Sequence, residues 1–109
     1  MIPADPHNVQ VWLATIPVDM RKSFDGLAEV VRSFLGRDPL SGNLFVFRNR
    51  DGHRVKILWW DRDGLAIYYK RLERGEFQFP RASAPVVEVT REQLVRLLSG
   101  LSIAERKRA

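Results

Sequence analysis

The sequence predicts an α+β domain: an antiparallel β-meander of four to six strands, with two or three helices packed mainly on one face. Three observations carry that expectation. Apolar, alternating runs between Leu44 and Phe79 are separated by short polar linkers that end in Gly52, Gly64 and Gly75. Apolar residues from Phe24 to Leu35, and again from Leu94 to Leu101, recur at helical spacing instead. The chain of 109 residues suits one core, and no repeat, linker or low-complexity stretch divides it.

The elements follow in order. Residues 1–8 contain Pro3 and Pro6 and are expected to form an extended arm. Val9–Ala14 alternates as a strand does, with Val9, Val11 and Leu13 on one face, and Pro17 stops it. Asp19 or Ser23 can cap the first helix, whose stripe is Phe24, Leu27, Val31, Phe34 and Leu35 and whose terminator is Gly36. Leu44–Arg48, Arg54–Trp60, Leu65–Leu72 and Glu76–Phe79 are the four meander strands, the last closing at Pro80. Each linker glycine supplies the left-handed conformation that a short hairpin loop needs. Val86–Val89 adds a further strand. Thr90 caps the last helix, Gln93 occupies the capping-box position, and Leu94, Leu97, Leu98 and Leu101 form the stripe. The basic tail at 104–109 is expected to fray.

Composition removes several function classes. There is no cysteine, which excludes a disulfide framework, a thiolate zinc site and a cysteine nucleophile. His7 and His53 are the only histidines, too few for a multi-histidine centre. No apolar run approaches the ~20 residues that span a bilayer. No basic segment followed by an apolar stretch opens the chain, so a cytoplasmic protein is expected. The turn Asp61-Arg62-Asp63-Gly64 begins like a calcium loop, but the fifth and twelfth positions of such a loop fall on Leu65 and Leu72. Asp51, Asp61 and Asp63 belong to turns at opposite ends of the meander, where aspartate favours the loop itself. The residues therefore predict no catalytic site, no metal and no cofactor.

Charge is more informative. Lys and Arg number 18 against 13 Asp and Glu, for a net +5. Residues 1–43 sum to −1, 44–81 to +4 and 82–109 to +2. The excess is thus local to the meander, and arginine-rich surfaces suit phosphate. Alternation assigns Val55, Ile57 and Trp59, with Leu65, Ile67, Tyr69, Phe77 and Phe79, to a core face. The opposite face then carries Arg54, Lys56, Leu58 and Trp60 from one strand and Ala66, Tyr68 and Lys70 from the next. Cations between aromatic rings make a nucleic-acid surface, with Lys56 exposed. Arg71 points away in a regular strand and joins the set only if the strand end turns it outward. The predicted DNA-binding residues are Arg54, Lys56, Trp60, Tyr68, Lys70 and Arg71. The competing reading packs Trp60 and Tyr68 under a loop or helix and leaves Arg54 and Lys56 solvated at its rim.

Four segments together resemble a known family: Pro17–Leu27, Asp38–Phe47, Val55–Asp61 and Tyr69–Gly75, in order across roughly residues 7–80. They are similar to the small Orf2-like accessory protein, or transposase-accessory protein B, of the sixty-six family of bacterial insertion sequences. The resemblance implies a role in DNA transposition beside a separate DDE-type transposase, and it supplies no catalytic residues. The family motifs stand here as Asp19, Met20, Arg21 and Lys22, and as Trp59, Trp60 and Asp61, with roles left open. Two functions compete: a DNA-binding factor, or an adaptor for the transposase or another element-encoded protein. Arg21 and Lys22 near a helix start oppose its partial positive charge. Asp25, Asp61 or an anionic partner is expected to compensate them, with Asp19 capping the helix or fixing its start.

Overall fold

The computed structural model describes residues 9–103, so the expected arm at 1–8 and tail at 104–109 lie outside the described residues. The chain is α+β. Strands β1 (Val11–Ala14), β2 (Leu44–Arg48), β3 (Arg54–Asp61), β4 (Gly64–Arg71) and β5 (Val86–Val89) form one sheet in the order β4-β3-β2-β1-β5. Helix α1 (Phe24–Glu29) and a π-helical turn (Val30–Phe34) lie between β1 and β2, and α2 (Arg91–Leu98) follows β5.

The sheet is mixed rather than a pure meander. β1 runs parallel to β2, Val11 opposite Leu44, and antiparallel to β5, Val11 opposite Val89. A parallel pair needs a crossover, which the α1 segment provides. The strand expected at Glu76–Phe79 does not form. That segment crosses the sheet end instead, where the Phe77 N–H donates to the Gly52 carbonyl at 2.7 Å and the ring is buried. The consecutive antiparallel run is therefore β2-β3-β4 alone.

The helices cover opposite faces, where the sequence reading had them mainly on one. Val11, Leu13, Leu44, Val46, Val55, Ile57 and Trp59 pack with Leu94 and Leu97 of α2 and with Phe77. Trp12, Ala14, Phe45, Phe47 and Leu58 pack with Leu27, Ala28, Val31 and Leu35 of the α1 segment. The first four residues of β2, Leu44-Phe45-Val46-Phe47, are all apolar and buried. Such a run cannot leave either face to water, so two covering layers are required.

The first helical segment departs from its expected stripe. Leu35 N–H donates to Val30 O at 3.0 Å, the spacing of a π-turn. The wider turn changes the angular step per residue. Leu27, Val31 and Leu35 stay inside, whereas Phe24 and Phe34 are 46% and 51% exposed. Gly36, at φ +67°, ends the segment as expected. In α2 the capping box is complete: Gln93 N–H donates to Thr90 Oγ1 at 3.0 Å, and Thr90 N–H donates to Gln93 Oε1 at 2.8 Å. Leu101 lies beyond the helix end and is exposed. Ile103 fills the core in its place, fastened by Gln93 Nε2 donating to its carbonyl at 3.3 Å.

The β3–β4 hairpin decides where the predicted site residues go. Its loop is Arg62-Asp63 alone, with Arg62 in the left-handed region at φ 59° and Gly64 already in β4 opposite Asp61. The expected four-residue linker, Asp61–Gly64, sets the same pairing of Trp60 with Leu65, so the faces expected for β4, odd positions beside odd positions of β3, do not follow from it. Register in a hairpin is set by loop length, and a slip of one residue moves every side chain to the other face.

Candidate functional site

The register splits the predicted DNA surface in two. Arg54 faces Arg71, Lys56 faces Tyr69, and Trp60 faces Leu65, all on the α1 side of the sheet. Lys70 faces Val55 and Tyr68 faces Ile57, on the α2 side. Tyr68 packs against the α2-side core. Lys70 Nζ donates to the Leu98 carbonyl at 2.7 Å, a cation on the last turn of α2 where the helix dipole favours one. The expected face holding all of Arg54, Lys56, Trp60, Tyr68 and Lys70 is thus corrected. Arg71, expected to point away from that set, lies with Arg54, and Tyr69 moves from the core face to join them.

Lys56 is the second correction. It was expected to be exposed and is 8% exposed. Its Nζ donates to the carbonyls of Met20 and Lys22, both at 2.8 Å, and lies 4.7 Å from the centre of the Tyr69 ring. A buried ammonium requires partners for its donors. Here backbone carbonyls and a ring face supply them. The neighbouring cations also have partners: Arg54 donates to Tyr69 Oη at 3.0 Å, and Arg71 donates to Glu73 at 3.0 and 3.1 Å.

This gives the Asp19–Lys22 motif a structure. Arg21 N–H donates to Asp19 Oδ1 at 2.9 Å, the Arg21 guanidinium holds the same carboxylate at 2.7 Å, and Lys22 N–H donates to Asp19 O at 3.0 Å. The result is a tight turn whose Met20 and Lys22 carbonyls converge on Lys56. Asp19 does not cap the helix. Ser23 is the N-cap residue and makes no side-chain capping bond. The carboxylate that compensates Arg21 is Asp19 itself, in place of Asp25 or Asp61.

The Arg21 bonds lower the Asp19 pKa from 3.8 to about 2. A depressed carboxylate pKa means that the pairing is fully present above the unfolded value and is lost as pH falls through the folded one. An NMR titration of the Asp19 carboxyl should show its midpoint near the lower value, and Arg21→Ala should return it toward 3.8.

The Trp-Trp-Asp motif divides by depth. Trp59 is 2% exposed in the α2-side core, Trp60 is half-buried on the α1 side, and Asp61 is exposed at the hairpin. Among the described residues no three Asp, Glu or His side chains converge as metal ligands.

A feature missed in the sequence lies beside α1. Ile16, Pro17, Val18, Val30 and Phe34 line an open groove over Gly26, with Asp19, Lys22 and Glu29 on its rim. Gly26 leaves room for the Lys22 side chain, which a Cβ there would meet at 3.1 Å. The groove depends on the π-turn that swings Phe34 outward. Nothing in the residue spacing marks that turn, so helical periodicity assigned Phe34 to the core.

The motif turn, the Lys56 pin and the paired tryptophans all lie within the span matched by one family model, described as IS66 Orf2 like protein, which covers residues 9–108. The chain belongs to the IS66 Orf2-like family. Among the relatives of this Orf2-like protein is the uncharacterized protein y4hO of Sinorhizobium fredii (strain NBRC 101917 / NGR234), 45% identical over 101 residues, which are 93% of this chain and 87% of that one. The uncharacterized protein y4jC of the same organism is 35% identical over 102 residues, 94% of this chain and 87% of its own length. No solved structure matches. Membership places the Orf2-like protein among the accessory proteins of insertion-sequence transposition. Among the described residues, no helix is long and apolar enough to cross a membrane.

Proposed function

We propose that this Orf2-like protein is a non-catalytic adaptor that binds the element-encoded DDE-type transposase in the cytoplasm through the groove beside α1. The observation that carries this reading is Phe34, an aromatic residue half exposed by a π-turn at the edge of an apolar groove. π-turns recur at functional positions because they cost helix regularity. Aromatic anchors also dominate interface energetics. The six-residue DNA surface has lost its contiguity, and two of its cations hold internal carbonyls. That shifts the weight from polyanion binding to protein binding.

Phe34→Ser should weaken binding to purified transposase by about tenfold or more. Thermal stability should stay near wild type, because the ring is largely outside the core. Equal binding by the variant and the wild type would overturn the adaptor reading.

One observation favours a second reading, direct DNA contact. Arg54 stands opposite Arg71 on the same face as Tyr69, a residue 48% exposed. Like charges across strands are mildly unfavourable without a counter-charge. Among the described residues Glu73 pairs with Arg71 and not with Arg54, which leaves Arg54 to a phosphate. Duplex retardation that falls steeply with salt and is lost in Arg54→Ala would favour this reading over the adaptor.

A further inference from the structure

We propose that the outer edge of β4 pairs with the same edge of a second copy of this chain, antiparallel about a two-fold axis at Ile67. β4 ends the sheet and is eight residues long, with an unbroken ladder to β3 from Arg54–Arg71 to Asp61–Gly64. In an antiparallel ladder, alternate residues aim their backbone groups at the partner. The hairpin closes at Asp61–Gly64, and at the far end Leu72 N–H donates to His53 O at 2.8 Å. The even-numbered residues of β4 therefore bond to β3. Leu65, Ile67, Tyr69 and Arg71 aim their N–H and C=O groups outward. Among the described residues, no backbone bond from another element reaches them.

Solitary edges are usually blunted by proline, a bulge or charge. Leu65-Ala66-Ile67-Tyr68-Tyr69 carries none of these. The opposite edge, β5, is half as long, follows Pro85 and carries Glu88.

Charge complementarity identifies the occupant as a second copy and fixes the register. Centred on Ile67, the pairing sets Ile67 against its own copy, Leu65 against Tyr69, and Asp63 against Arg71 at both ends. Centred on Tyr68, it would set Arg71 against Leu65; centred on Tyr69, against Ile67. Of these three centres, the first alone gives the cation a carboxylate. The present Arg71–Glu73 pair is exposed on both sides, 56% and 77%, and such pairs exchange readily. Because the axis is perpendicular to the sheet, directly opposed side chains share a face, so Leu65 and Ile67 extend the α1-side core across the junction.

Sedimentation velocity over a wide concentration range tests the proposal. The wild type should form a dimer. Asp63→Arg and Arg71→Asp should each raise its dissociation constant about tenfold or more by setting like charges at both ends. The doubly reversed D63R/R71D chain should recover the wild-type value. Circular dichroism checks that each variant folds. The absence of cysteine gives a second measurement. Ile67→Cys should form a disulfide-linked dimer under a mild oxidant, while Val95→Cys, at an exposed position on α2, should not. The proposal is overturned by a wild type that stays monomeric, by a dimer indifferent to both single reversals, or by Val95→Cys crosslinking as readily as Ile67→Cys.

Discussion

Trp59→Ala should destabilise the domain by about 4 kcal/mol, a large share of the roughly 5–15 kcal/mol that holds a domain of this size. Trp59 is among the largest fully buried side chains and sits in the α2-side core with Ile57, Leu97 and Phe77. Its removal leaves a cavity that β3, fixed on both sides by β2 and β4, cannot close. The adjacent Trp60→Ala should cost about 1 kcal/mol, because that ring is only half-buried on the other face. Urea unfolding of the two variants measures the contrast. Similar losses for both would mean that the faces of β3 have been assigned wrongly.

Lys56→Met should lower stability by about 2–3 kcal/mol, with a fall in Tm on the order of 10 °C. The substitution keeps an unbranched apolar stem against Tyr69 but removes both bonds to the Met20 and Lys22 carbonyls. Those carbonyls then lose their charged partner, and the turn that leads into α1 loses its tie to the sheet. Amide exchange at Lys22, whose N–H donates to Asp19 O, should accelerate more than exchange in α2. A Lys56→Met chain of wild-type stability that had lost DNA retardation would instead return Lys56 to the surface role expected of it from alternation. Since the groove beside α1 is bounded by the same turn, transposase binding should weaken in this variant as well.

Both expectations turn on a distinction that alternation alone does not draw. The sequence contains the strands of the β2-β3-β4 run, the α2 capping box and the turn glycines Gly36, Gly52 and Gly75, because each is a local signal: a period, a cap or a backbone conformation. It also contains the family, through motifs read in order. It set odd positions of β4 beside odd positions of β3 and so inverted β4, although the linker it read, Asp61–Gly64, itself places Trp60 opposite Leu65. The observed register, with Trp60 opposite Leu65, puts Tyr68 and Lys70 on the α2 side and Tyr69 and Arg71 beside Arg54. It read Glu76–Phe79 as a strand, since alternating phenylalanines look alike whether they pair with a neighbour or plug a sheet end.

By itself, then, the sequence determined an α+β domain of the IS66 Orf2-like family with a cysteine-free core and a cationic middle. Only the tertiary structure decided what the cations do. Lys56 meets carbonyls more than thirty positions earlier in the chain, and Lys70 meets one nearly as far ahead. It likewise decided that β1 inserts between β2 and β5, that the helices take opposite faces, and that a π-turn exposes Phe34 beside a groove. The physical reason is common to all of these. Local spacing fixes the direction of a side chain relative to its own strand or helix, whereas burial and bonding depend on which distant backbone arrives there.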